Sequence, residues 1–187
     1  MFMLDSVAYD YSPDYQHNEP RWNERRVQLP LAMKFIDTHL PDVVEIGAVT
    51  CYYRETDHTI YDVTDKHRSA INKDIRDVEF FDSDWVVSIS VMQFIGGGGY
   101  GDPVGGGPGS AVGVIDRILR NSAGCMLTWP NGYNELLDGT VFSGRFDDYI
   151  SFMQRDEDNT WAQVGFPSLR EYNFPYKRGN SICVLRK

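Results

Sequence analysis

The sequence predicts an α/β fold, a doubly wound, mostly parallel sheet of about seven strands with a late antiparallel strand pair. Three observations lead there. Short apolar runs stop at glycine or aspartate along the first half: residues 43–46 before Gly47, 59–61 before Asp62, and 70–72 before Asp74. Residues 85–90, Trp-Val-Val-Ser-Ile-Ser, are rich in β-branched side chains, the pattern of a strand covered on both faces. After residue 129 strands no longer alternate with helical or loop connections, and two strand-like stretches remain, 149–154 and 181–185.

Taken in order, residues 1–20 are polar and carry Tyr9, Tyr11 and Tyr15, which predicts an irregular arm ahead of a single domain over 21–187. Pro20 can open a short helix, and residues 31–40 read as a helix with Leu31, Met33, Phe35, Ile36 and Leu40 apolar and Pro41 ending it. Four strand candidates follow, the last at 85–90. Nine of the 14 residues from Gly96 to Gly109 are glycine, which predicts a loop. Residues 111–120 place Val114, Ile115, Ile118 and Leu119 at helical spacing, and Asn121-Ser122-Ala123-Gly124 stops the helix. Residues 125–129 form a fifth strand, closed by Pro130-Asn131-Gly132. Pro167, Pro175 and Gly179 mark loop between the last two strands, and Trp161 and Tyr149 read as core or rim aromatics. Doubly wound sheets bind ligands outside the carboxyl ends of their strands, near the point where strand order reverses. That rule singles out Gly47, Asp62, Asp74, Ser90 and Trp129.

Composition narrows the function. A chain of 187 residues fits one domain and buries a core without disulfide or metal. The formal charge of −9 repels a polyanion on average, so nucleic acid is not an expected partner, although Arg21, Arg25 and Arg26 cluster. Three cysteines, Cys51, Cys125 and Cys183, without CxxC spacing fit a reducing compartment. The N-terminus lacks a basic region, and no apolar run reaches the length of a span, so the expectation is a cytoplasmic protein with no signal peptide and no membrane partner. His17, His39, His58 and His67 lack metal-ligand spacing, and no metal is expected. GxGxxG, GxxxxGK[ST] and GxSxG are all absent, which argues against dinucleotide, phosphate-loop and serine-hydrolase chemistry.

Five segments in order resemble class I, Rossmann-like, methyltransferases that use S-adenosylmethionine (SAM). They are Val43-Val44-Glu45-Ile46-Gly47, His58-Thr59-Ile60-Tyr61-Asp62, Ile71-Asn72-Lys73-Asp74-Ile75, residues 84–90, and Leu127-Thr128-Trp129-Pro130-Asn131-Gly132. Upstream, Trp22-Asn23-Glu24-Arg25-Arg26-Val27-Gln28-Leu29-Pro30 is similar to a lead-in found in a subset of that family, some of whose members occur beside glycan-modifying enzymes. The resemblance covers residues 22–187 and implies SAM as cofactor. It places Glu45, Gly47, Ala48 and Val49 at the first motif. Asp62 falls on the ribose hydroxyls, with Asp65 as a nearby rival. Asp74 and Ile75 fall on the adenine, and Ser90 and Val91 beside the methionine moiety.

Two departures from the family pattern matter. Ala48-Val49 follow Gly47 where a second glycine is usual. Gln93-Phe94 stand where many relatives have Glu-His, and neither side chain titrates near neutral pH. A general base must then come from elsewhere, with Asp102, Tyr100, His58 and His17 as candidates. Tyr100-Gly101-Asp102-Pro103 is similar to related proteins, which makes the glycine loop a lid or substrate loop. Tyr100, Asp102 and Gln93 are the expected catalytic residues. The implied activity is methyl transfer to a small-molecule acceptor, a sugar, amine or carboxylate. The alternatives are a catalytically impaired SAM-binding or regulatory protein and an assembly component without cofactor. Oligomeric state is not read from the sequence.

Overall fold

The computed structural model describes residues 1–13, 22–96, 110–168 and 179–187. Ten strands and three α-helices follow one another as β1 (Phe2–Leu4), β2 (Val7–Tyr9), α1 (Arg25–His39), β3 (Val43–Ile46), β4 (Thr59–Asp62), β5 (Ala70–Asn72), β6 (Trp85–Ile89), α2 (Ala111–Asn121), β7 (Gly124–Pro130), α3 (Glu135–Phe142), β8 (Ile150–Arg155), β9 (Trp161–Val164) and β10 (Ser181–Arg186). β1 and β2 pair as a hairpin, and the other eight strands form one sheet in the order β5-β4-β3-β6-β7-β10-β8-β9.

The doubly wound, mostly parallel fold is corrected by this topology. The four pairings from β5 to β7 are parallel, but β7–β10, β10–β8 and β8–β9 are antiparallel. Among the described residues the sheet has eight strands rather than about seven, and three α-helices are too few to wind both faces. The physical reason lies in the connections. Residues 47–58, 63–69 and 73–84 join the parallel strands with short 3₁₀ turns at Thr50–Tyr52 and Ile75–Asp77 instead of crossover helices. Their apolar residues are too few and too scattered to give a helix a buried stripe. β9 supplies the third antiparallel pairing, and only Trp161 of its four residues is buried.

Strand side chains alternate between two apolar layers. On β6, Val86 joins the layer under α2 and α3, while Val87 and Ile89 join the layer under α1. β10 does the same with Cys183 and Leu185 against Ile182 and Val184. β6 reads as an unbroken apolar run because both its faces are covered. α2 is capped by Ser110, whose side chain accepts from the Gly113 N–H, and Asn134 caps α3 through the Leu137 N–H.

The expected irregular arm is ordered over its first residues. Phe2 and Leu4 of the hairpin are buried in the layer of α1, and Phe2 stacks on Tyr9 and Tyr11. Tyr11 lies under the Arg26 guanidinium at 4.0 Å, and its hydroxyl accepts from the Trp161 N–H at 2.9 Å. α1 begins six residues before the expected start at residue 31, because Pro30 lies inside the helix. Proline has no N–H, so the carbonyl of Arg26 has no helical donor. The Ser12 N–H donates to that carbonyl at 2.9 Å.

Candidate functional site

From β3 the chain steps outward to β4 and β5, then crosses back to place β6 on the other side of β3. Strand order reverses there, and the carboxyl ends of β3 and β6 part. A cleft of about 500 Å³ opens at that point, within the usual range for small-molecule sites. Its lining joins Gly47, Ala48 and Val49 after β3 to Asp62 and Asp65 after β4. Lys73, Asp74, Ile75 and Arg76 close it after β5, and Ser90 and Val91 after β6.

Hydrogen bonds brace the far wall. Gly47 sits at φ +85°, and a Cβ there would collide with the Val91 side chain. Glycine is required on both counts. Its N–H donates to the Tyr61 carbonyl at 2.7 Å. The Ala48 N–H donates to Asp62 Oδ2 at 3.0 Å, and Asp62 Oδ1 accepts from the Thr64 and Asp65 N–H groups at 2.9 and 2.8 Å. Asp62 thus ties the loop after β3 to the loop after β4, and Oδ2 keeps lone-pair capacity. Asp65 accepts from the Tyr52 hydroxyl at 2.8 Å, and this hydrogen bond is the main reason the phenol is pushed up to about 12. Asp74 accepts from Arg76 Nε at 2.9 Å and Nη2 at 2.5 Å, and these bonds hold its carboxyl below the usual carboxylate range. Arg117 of α2 fixes the same turn by donating to the carbonyls of Ile75 and Arg76.

The near wall is built around Ser90, which holds φ +53°, a left-handed conformation uncommon for serine. Neighbours hold it there. Its N–H donates to the Thr128 carbonyl at 2.7 Å, its hydroxyl donates to Gln28 Oε1 at 2.9 Å, and Gln93 Nε2 donates to its carbonyl at 3.0 Å. Arg25 lines the cleft and donates from Nη1 to the Ile89 carbonyl at 3.2 Å.

The structure thus gathers Gly47, Ala48, Val49, Asp62, Asp74, Ile75, Ser90 and Val91 in one cleft, with Asp65 beside Asp62. Glu45 is fully buried and outside the lining. Its carboxylate accepts from the Val49 and Thr50 N–H groups and the Thr50 hydroxyl, and His58 Nε2 lies 2.8 Å away. It shapes the floor from behind. His58 is buried with it and away from the lining, and Trp129 is buried under α2 and α3. Gln93 is buried behind Ser90 and also outside the lining. Tyr100, Asp102 and His17 lie outside the described residues.

Sequence reasoning missed Arg25 as a cleft residue, placing it in a surface patch, and missed Gln28 altogether. The signal was present: both fall in the lead-in segment, three positions apart and so on one helix face. No protein-family model, curated protein or solved structure matches the chain. No helix among the described residues is long and apolar enough to cross a membrane.

Proposed function

We propose that the cleft binds SAM and that the protein transfers its methyl group to a small-molecule acceptor. The observation carrying this reading is the convergence of four strand ends, those of β3, β4, β5 and β6, on one cleft at the reversal of strand order. The lining offers chemistry suited to each part of a nucleoside sulfonium. Asp62 Oδ2 can accept from the ribose hydroxyls, the turn at Asp74-Ile75 meets the base, and the Gly47–Val49 backbone with Ser90 receives the amino-acid moiety. Three carboxylates in the lining suit a cationic ligand, and Arg25 suits its carboxylate. The sulfonium is already a strong electrophile, so the protein's task is to align donor and acceptor.

Calorimetry with S-adenosylhomocysteine (SAH) and SAM tests the reading. We expect saturable binding, weakened at least about 10-fold in Asp62→Ala by loss of a charged hydrogen-bond acceptor worth about 1.5–3 kcal/mol. Absence of binding at millimolar ligand overturns it. The neutral Gln93 keeps a second reading in play, a cofactor-binding protein without turnover. Tight SAH binding with no methyl transfer to any acceptor selects that one.

A further inference from the structure

Asp74 has both carboxylate oxygens taken by its own turn. Oδ1 accepts from the Arg76 backbone N–H at 2.9 Å and from Arg76 Nε at 2.9 Å. Oδ2 accepts from Nε at 3.0 Å and from Nη2 at 2.5 Å. A carboxylate offers about four lone-pair sites, and these contacts occupy two on each oxygen. An adenine amino group could bind there only by displacing a guanidinium N–H. That exchange replaces a bond between two ions with one whose donor is neutral, which is weaker. Asp62 differs, because its Oδ2 accepts from the Ala48 N–H alone among the described residues.

The residue next to Asp74 is in the opposite condition. The Ile75 N–H has no hydrogen-bond partner among the described residues. The Asp74 side chain caps the turn through the N–H of Arg76, one position further on. The Ile75 side chain belongs to the apolar layer under α2 and α3. Ile75 lines the cleft all the same, and its backbone is the polar part it brings there. That backbone is held at two points. One is the Asp74 cap. The other is Arg117 of α2, which donates to the Ile75 carbonyl at 2.5 Å and the Arg76 carbonyl at 2.8 Å. A fixed N–H donor without a partner, on the wall that meets the base, calls for an acceptor on the ligand.

We infer that the Ile75 N–H reads the base at N1, that the 6-amino group goes unread, and that Asp74 is a positioning residue for the turn. The inference rests on the SAM reading above and narrows its ligand class. The nucleoside pocket takes a purine whose N1 carries a lone pair, with or without an amino group at C6. It rejects hypoxanthine, whose N1 carries a hydrogen, because two donors would then face each other.

The test is calorimetry on the full chain with SAH and three analogues. One lacks only the 6-amino group, one has C–H in place of N1, and the third is S-inosylhomocysteine. The deaminated analogue should bind within about 3-fold of SAH, whereas an amino group read by a carboxylate would be worth about 10–100-fold. The other two should bind at least about 5-fold more weakly, because each leaves the Ile75 N–H unpaired. Asp74→Ala frees the turn, so SAH and the deaminated analogue should weaken together with their ratio unchanged. Ile75→Pro removes the donor itself. Asp74 already holds φ −67° and ψ 132°, the conformation that a residue before proline takes. In that variant SAH should fall to the level of the analogue without N1. The four ligands on the parent chain decide the matter even where Ile75→Pro does not fold. A deaminated analogue more than about 3-fold weaker than SAH, with the gap closing in Asp74→Ala, overturns the inference. Undiminished binding of the analogue without N1, or of S-inosylhomocysteine, overturns it as well. Failure of SAH itself to bind removes the donor reading, and this inference with it.

Discussion

The two walls of the cleft are finished in opposite ways. On the β3–β5 side the carboxylates are heavily committed: Asp62 accepts three backbone N–H groups and Asp74 is forked to Arg76. On the β6 side the lining is held from behind: two buried amides outside it brace Ser90, each with one atom that has no hydrogen-bond partner among the described residues. A wall satisfied by its own protein keeps its shape whatever binds.

This contrast can be broken from either side. The largest effect should come from Glu45→Ala. It strips the acceptor from two backbone N–H groups, a hydroxyl and a histidine in a fully buried site. Urea unfolding should show a loss of about 3–5 kcal/mol, the range for breaking a buried polar pair, and SAH affinity should fall with it. Gly47→Ala comes next. Left-handed backbone and collision with Val91 together should cost about 2–4 kcal/mol in the same experiment. Gln93→Leu probes the other wall: it forfeits the bond to the Ser90 carbonyl but relieves the unused oxygen, so thermal unfolding should move by less than about 1 kcal/mol. The smallest effect belongs to Asp74→Asn. Arg76 lowers the pKa of Asp74 in the fold, so the stability it supplies is full above the unfolded carboxylate value and is lost as pH falls through the folded one. The pair is partly exposed and screened by solvent, and the acid limb of the stability–pH curve should flatten by under about 1 kcal/mol.

The strand ends were legible because each apolar run stops at a residue with a backbone reason to stop. Gly47 takes a positive φ, and Asp62 and Asp74 accept from the N–H groups of the turns they open. The connections were read only as helical or loop, because residues 47–58 and 63–69 carry no periodicity that decides between the two. β9 escaped notice because Trp161-Ala162-Gln163-Val164 buries one side chain and exposes two. The hairpin escaped because three-residue strands carry almost no periodicity. α3 was missed despite a readable start, with Asn134 ahead of Glu135-Leu136-Leu137 in the manner of a capped helix. At the site, Glu45 was read in its right place with the wrong task. A carboxylate beside a glycine turn looks the same in sequence whether it faces the ligand or props the turn from beneath.

Pro30 links parts of the molecule that seem unrelated. An ordinary residue there would offer an N–H to the Arg26 carbonyl and complete the helix, leaving Ser12 to seek an acceptor elsewhere. The proline turns a gap in one helical ladder into a fastening for the chain's first dozen residues. Arg25 and Gln28 stand five and two residues before it on the same helix, so whatever loosens the amino-terminal hairpin pulls on the segment that frames Ser90.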